Sequence, residues 1–236
     1  MIQFYSPDIE KTLTLPESES GHCCRVLRKV AGDEIVVTDG KGNRYVCEIV
    51  NPNPKQTEVV IKSKEILDPE RNYKLTLAVA STKNSDRMEW MVEKAVEIGV
   101  DRIVLLKCER SERKSLKSDR LLRVMISAMK QSLSGHLPEL VETTDFETFI
   151  KEEPKGSQRY FGYCSPDYSK KEFAKECSPG GEVVVVIGPE GDFTPREVEL
   201  AVKEGFEPVT FGQKRLRTET AGVFAVCAAG VINQKG

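Results

Sequence analysis

The chain has 236 residues, enough for one large domain or two modest ones. Apolar residues make up 39% and charged residues 31%, which excludes general disorder. The 35 Lys and Arg against 37 Asp and Glu leave a formal charge of −2, which excludes a uniformly basic glove for nucleic acid. No run of about 18 apolar residues predicts a membrane helix. The polar start, Met1–Glu10, lacks the apolar stretch of a signal peptide. Seven scattered cysteines, no C-x-x-C pair and two histidines, His22 and His136, point to reduced thiols in a cytoplasmic protein. They argue against a zinc site, and no metal is expected.

The first predicted element is a helix over Ser18–Val30 carrying Val26, Leu27 and Val30. Glu34–Thr38 and Arg44–Val50 are β-rich runs around Asp39-Gly40-Lys41-Gly42, a hairpin signal. Asn51–Pro54 reads as a turn and Thr57–Leu67 as a further strand. Residues 1–70 therefore form a small, mostly β, barrel-like domain, with Asp68–Asn72 as linker. From residue 73 to 236 the rhythm is that of an α/β domain with a mostly parallel sheet. Leu75–Ala80, Arg102–Leu106, Arg159–Cys164, Val183–Ile187 and Pro208–Phe211 read as strands. Arg87–Gly99, Asp119–Leu133, Pro195–Glu204 and Thr218–Asn233 read as helices.

The most informative segment follows the buried run Val183–Ile187. Gly188-Pro189-Glu190-Gly191-Asp192-Phe193 forms a glycine turn, and Thr194, Pro195 and Glu197 then start a helix as N-cap, first residue and capping-box partner. Ligands of open α/β sheets bind outside the carboxyl ends of strands, where this turn lies. Neither G-x-G-x-x-G nor a G-K-[ST] ending is present, so the turn is not a dinucleotide fingerprint or a P-loop. Downstream, Lys214, Arg215 and Arg217 precede Thr218-Glu219-Thr220. Thr218 suits a helix cap and Glu219 the helix dipole, while the arginines oppose that dipole, a local conflict of the kind found at functional sites.

Gly188-Pro-Glu-Gly191 followed by Leu216-Arg-Thr-Glu-Thr-Ala221 resembles the RsmE family, the 16S rRNA uracil-N3 methyltransferases of the SPOUT superfamily. His22-Cys-Cys-Arg-Val-Leu-Arg28, Gly32-Asp33 and Asp39-Gly40 resemble the PUA-like domain of that family. Lys83, Arg87-Met88, Trp90, Lys94, Glu97–Val100, Glu109-Arg-Ser111, Gln131-Ser132 and Leu137-Pro138 follow in family order. The likeness implies a trefoil-knotted C-terminal domain, homodimerisation and binding of S-adenosylmethionine by three loops. By motif these loops supply Tyr163 and Cys164; Ile187, Gly188, Pro189, Glu190 and Gly191; and Phe211, Gly212, Leu216 and Arg217. Two departures stand out. Lys130 and Ser134 replace the Glu and Arg of the family's Glu-Gln-Ser-Gly-Arg, and Arg215 replaces an Ile.

The reaction implied is methylation of N3 of a uridine of 16S rRNA in the small ribosomal subunit, conventionally uridine 1498. The N3 proton must leave, and charge on O2 and O4 must be stabilised. Arg217 is assigned to the uracilate or its phosphate. Glu219 either accepts the proton or holds Arg217, and Glu190 is a second candidate base or orders its loop. Lys107–Arg123 carries seven bases against three acids, so Arg110, Arg113 and Lys114 are expected to meet RNA, with Arg25 and Arg28 adding phosphate contacts. Trp90 is either a stacking platform for a base or, as expected first, part of the core packing of its helix. The alternatives are a knotted RNA-binding protein without activity, and a SPOUT enzyme acting on another RNA or on a ribose 2′-hydroxyl.

Overall fold

The computed structural model describes residues 2–67, 71–112, 118–163 and 171–234. The chain divides into two compact units, Met1–Glu70 with Ile126–Leu137, and Arg71–Met125 with Pro138–Gly236.

The first unit contains β1 (Gln3–Tyr5), α1 (Ile9–Thr12), α2 (Glu17–Gly21), a π-helical turn at His22–Val26, β2 (Glu34–Thr38), β3 (Asn43–Asn51) and β4 (Glu58–Ile66). The strands form one sheet in the order β1-β2-β3-β4, parallel between β1 and β2 and antiparallel elsewhere. Alternation puts Ile35 and Val37 of β2 and Tyr45, Cys47 and Ile49 of β3 on the buried face with Phe4, Ile9 and Leu15. Glu58 pairs with Asn51 in the sheet and with Thr14 in a separate bridge. The β2–β3 hairpin turns on Gly40 and Gly42, both at positive φ.

The helix expected over Ser18–Val30 is shorter. Arg28 adopts φ 55°, and the Lys29 N–H closes back on the Cys23 carbonyl at 3.1 Å, a left-handed helix ending. Of its three apolar residues only Leu27 packs on the core, while Val26 and Val30 are exposed. Arg28 therefore lies past the helix rather than on it.

The second unit contains β5 (Tyr73–Ala80), α3 (Ser85–Ile98), β6 (Arg102–Lys107), α4 (Ser118–Gln131), β7 (Glu139–Asp145), α5 (Phe146–Glu152), β8 (Gln158–Gly162), β9 (Lys171–Glu172), α6 (Phe173–Glu176), β10 (Gly181–Ile187), α7 (Pro195–Lys203), β11 (Glu207–Thr210) and α8 (Thr218–Asn233). The end of α4 belongs to the first unit. Among the described residues the sheet has seven strands, in the order β7-β6-β5-β10-β8-β11-β9. Every pairing in it is parallel. β10 lies between β5 and β8, and Val183–Ile187 is buried throughout, as a strand covered on both faces requires. α8 packs on α3, β5 and β10.

The acid-rich segment that gave no sequence signal forms β7 and α5. β7 is an edge strand with partly exposed residues, where charge is tolerated and even protective. Trp90 corrects its expectation. The buried face of α3 is Met88, Met91, Val92, Ala95 and Val96, and Trp90 falls off that stripe with 45% of its surface exposed. The described cysteines Cys23, Cys24, Cys47, Cys108, Cys177 and Cys227 are free. Burial pushes the Cys23, Cys47 and Cys177 thiols up to about 11, so they stay protonated at neutral pH.

Candidate active site at the glycine turn

The strand β10 delivers its last residue, Ile187, to the glycine turn, and α7 starts beyond it on a complete capping box. The Thr194 hydroxyl accepts from the Glu197 N–H at 3.3 Å, and the Glu197 carboxylate accepts from the Thr194 N–H at 2.8 Å. Inside the turn the Asp192 N–H donates to the Pro189 carbonyl at 2.9 Å, with Asp192 at φ 59°. Gly188 lies against the buried Phe193 ring, where a Cβ would approach to 3.0 Å.

The other carbonyls of the turn are taken by distant groups. The Thr218 hydroxyl donates to Gly188 at 2.9 Å, Arg215 Nη2 to Glu190 at 3.3 Å and Arg110 Nη1 to Gly191 at 3.0 Å. The Lys83 N–H donates to the Glu190 carboxylate at 3.2 Å. Thr218 is not the cap of α8. Arg217 holds the N-cap position with extended backbone, and Thr218, the first helical residue, is thereby free to tie the turn. Glu219, the next residue, is buried, and its Oε1 accepts from the buried Thr82 hydroxyl at 2.8 Å.

These segments enclose a cleft of about 1260 Å³. Its lining includes Tyr163, Ile187, Gly188, Pro189, Glu190, Phe211, Gly212, Leu216, Arg217 and Glu219. Gly191 does not line it. Cys164, Arg113 and Lys114 lie outside the described residues. Arg25 and Arg28 are exposed on the first unit. Arg110 is exposed, but its guanidinium is engaged by carbonyls of the glycine turn. Lys130 binds the buried Glu19 at 2.6 Å within the first unit, an ion pair that occupies the residue departing from the family pattern.

Sequence reasoning missed Lys83, Asn84, Arg87 and Glu172 as lining residues, whereas Lys214 falls within the expected loop 211–217. Lys83 and Arg87 stood in motif order and flank the α3 cap, where the Asn84 side chain accepts from the Arg87 N–H at 3.0 Å. Glu172 gave no signal, because the two-residue strand carrying it is too short for a periodicity. Five cations (Lys83, Arg87, Lys214, Arg215 and Arg217) line the cleft against the acids Glu172, Glu190, Asp192 and Glu219.

An interleaved parallel sheet with such a cleft at the carboxyl ends of its strands is the architecture of the SPOUT RNA methyltransferases. A model of an RNA methyltransferase domain matches residues 69–230, and one of an RNA methyltransferase PUA domain matches residues 15–62. A ribosomal RNA small subunit methyltransferase E from Aquifex aeolicus is 31% identical, over 94% of this chain and 96% of the relative. A crystal structure of a probable rRNA-methyltransferase from Porphyromonas gingivalis is 41% identical, with a TM-score of 0.95 over 100% of this chain and 99% of that one. A Neisseria gonorrhoeae methyltransferase E bound to S-adenosyl methionine is 27% identical, with a TM-score of 0.84 over 99% and 98%. The chain belongs to the ribosomal RNA small subunit methyltransferase E family.

Proposed function

We propose that this chain methylates N3 of a single uridine of small-subunit 16S rRNA, the position conventionally numbered 1498, and that it does so in the cytoplasm with S-adenosylmethionine as donor. The first unit, residues 1–70 joined by 126–137, serves as the RNA-binding domain, and the remainder of residues 73–236 as the catalytic one. The observation that carries this reading is the cleft itself. It joins a clamped glycine turn, an arginine at a helix N-terminus and a buried carboxylate with one oxygen already held.

The cleft suits a donor with a flat apolar end and a polar end. Ile187, Val209, Phe211 and Leu216 supply apolar walls. At Gly212, with φ 116°, a Cβ would meet nothing within 4 Å, so a side chain there would fill space that the glycine leaves to a ligand. When bound, S-adenosylmethionine supplies a methyl on a sulfonium; the sulfur–carbon bond breaks as the bond to uracil N3 forms and the N3 proton leaves.

The chain's own groups align and neutralise. Arg217 offers a fixed fork of donors to the oxygens of the uracilate, and among the described residues its guanidinium has no partner to compete. Glu219 takes the N3 proton: Thr82 fixes one of its oxygens, which orients the other. Glu190 orders the turn through the Lys83 N–H. Lys83, Arg87 and Lys214 receive RNA phosphates at the cleft mouth, and Arg25, Arg28, Arg113 and Lys114 extend the footprint.

A second copy of the chain completes the assembly. α8 exposes Phe224, Cys227 and Val231 along one side, and Trp90 and Ile98 are exposed on α3, against which α8 packs. Apolar surface of this kind at helical spacing fits a two-fold interface.

Small subunits lacking the modification, incubated with the protein and labelled S-adenosylmethionine, should gain one labelled 3-methyluridine. Arg217→Ala should lower the turnover number by about 10²–10³, the effect of removing one charge-stabilising donor. Label on a ribose or on another nucleotide overturns the assignment of target, and an Arg217→Ala variant of near wild-type turnover overturns the role of Arg217.

A further inference from the structure

We infer that Arg110 and Arg215 are positioning residues that clamp the glycine turn from two separate loops, and that Arg110 is therefore not part of the RNA footprint. Arg110 Nη1 donates to the Gly191 carbonyl at 3.0 Å and to the Phe193 carbonyl at 3.4 Å, while Arg215 Nη2 donates to the Glu190 carbonyl at 3.3 Å. Two consecutive carbonyls are thus held by two guanidiniums reaching in from residues 81 and 25 positions away. The stem of Arg110 also lies on Gly191, where a Cβ would come within 3.3 Å of the Arg110 Cβ and 3.5 Å of its Cδ. A side chain at Gly191 would thus press on the Arg110 stem, which must then shift by a few tenths of an ångström.

The segment carrying Arg110 is itself pinned. The Glu109 N–H donates to the Glu197 carboxylate at 2.9 Å, and the Thr194 hydroxyl to the Glu109 carboxylate at 3.4 Å. A charged donor on a carbonyl forms a strong bond with a preferred direction, and two of them fix the plane of the peptides between. A turn held in this way presents its remaining groups to a ligand without first having to be ordered.

This inference rests on S-adenosylmethionine binding at the turn, and the experiment separates the two. Wild-type protein, Arg110→Ala, Arg110→Lys, Arg215→Ile and the double variant Arg110→Ala/Arg215→Ile are compared by three readouts. These are calorimetric affinity for S-adenosylmethionine, amide hydrogen exchange of residues 188–193 without ligand, and the salt dependence of RNA affinity. Arg110→Ala should weaken S-adenosylmethionine about tenfold and speed exchange at Asp192. Arg110→Lys should recover part of both, and Arg215→Ile should weaken binding about threefold. The double variant should lose less than the product of the single losses, because both donors hold one turn. The RNA salt slope should not move. A slope that falls by about one in Arg110→Ala, or unchanged exchange and ligand affinity, overturns the clamp. Wild-type protein that binds no S-adenosylmethionine, with exchange still faster in Arg110→Ala, overturns the donor assignment and leaves the clamp standing.

Discussion

Two glycine-containing turns follow strands in this molecule, and their side-chain anchors come from different places. In the β2–β3 hairpin the anchor is the turn's own Asp39, although its backbone also meets remote segments: the Leu137 N–H donates to the Gly40 carbonyl at 2.9 Å, the Gly42 N–H to the Gly135 carbonyl at 2.9 Å and the Leu67 N–H to the Gly42 carbonyl at 2.7 Å. Asp39 accepts from the Lys41 N–H at 2.8 Å, the Asn43 N–H at 3.2 Å, the Asn43 side chain at 2.6 Å and the Tyr45 hydroxyl at 3.2 Å, all within six residues. The turn after β10 has a local bond of its own, but its carbonyls at Gly188, Glu190 and Gly191 and the Glu190 carboxylate are tied by residues 25 to 107 positions away. The hairpin carries its own side-chain anchor and uses remote backbone beside it. The turn at the cleft takes its side-chain anchors from the elements around the site, which also carry the candidate reacting groups.

That contrast accounts for what the sequence discloses. Asp-Gly between two β-rich runs predicts the hairpin, since the Asp39 anchor lies within the turn. The run Val183–Ile187 followed by Gly-Pro-Glu-Gly predicts a strand and a glycine turn from local residues, but not what holds that turn. The insertion of β10 between β5 and β8 leaves no local trace, because pairing partners are chosen by long-range packing. The donors of the clamp are equally silent. Arg110 lies in a basic stretch and reads as a phosphate contact until the Gly191 carbonyl is found beside it. β7 and α5 are hidden by their acids, which an edge strand accommodates and a composition count reads as surface.

The turn anchored on Asp39 is the more costly one to break. Burial raises the Asp39 carboxyl pKa, but the hydrogen bonds from Asn43, Lys41 and Tyr45 outweigh it and hold the group below its ordinary value. A depressed carboxylate contributes stability above the unfolded-state value of about 3.9 and loses it as pH falls through the lower folded value. Asp39→Ala should therefore cost about 3 kcal/mol at pH 7, by urea unfolding, since several donors lose a charged acceptor at once. The gap between wild type and variant should shrink from about pH 4 downward. An equal gap at pH 7 and pH 3 would show that the bonds are not to a carboxylate. S-adenosylmethionine affinity should stay unchanged, because the clamped turn borrows nothing from this hairpin.

The remote ties are individually weaker and should show more in binding than in stability. Thr218→Val keeps shape but removes the hydroxyl that serves the Gly188 carbonyl, at a cost of about 1 kcal/mol. The same variant should weaken S-adenosylmethionine several-fold in a calorimetric titration. If stability falls with no change in affinity, the Gly188 tie is structural only, and the contrast between the two turns loses one of its four supports.

The smallest expected effect discriminates most sharply. Glu190 and Glu219 both line the cleft, and each could take the N3 proton. Glu190→Gln retains an oxygen that can accept from the Lys83 N–H, so the turn should keep its order and the stability change should stay below about 0.5 kcal/mol. S-adenosylmethionine affinity should be unaltered, and the turnover number should hold within about twofold, because ordering the turn does not need the negative charge. Glu219→Gln likewise keeps an oxygen for the Thr82 hydroxyl but removes the base, and turnover should fall by about 10² or more. The reverse pattern, with Glu190→Gln slow and Glu219→Gln fast, would move proton transfer onto the clamped turn itself. The remote ties would then be orienting a reacting group as well as a binding surface, and their sequence distance would be explained by chemistry rather than by ligand fit alone.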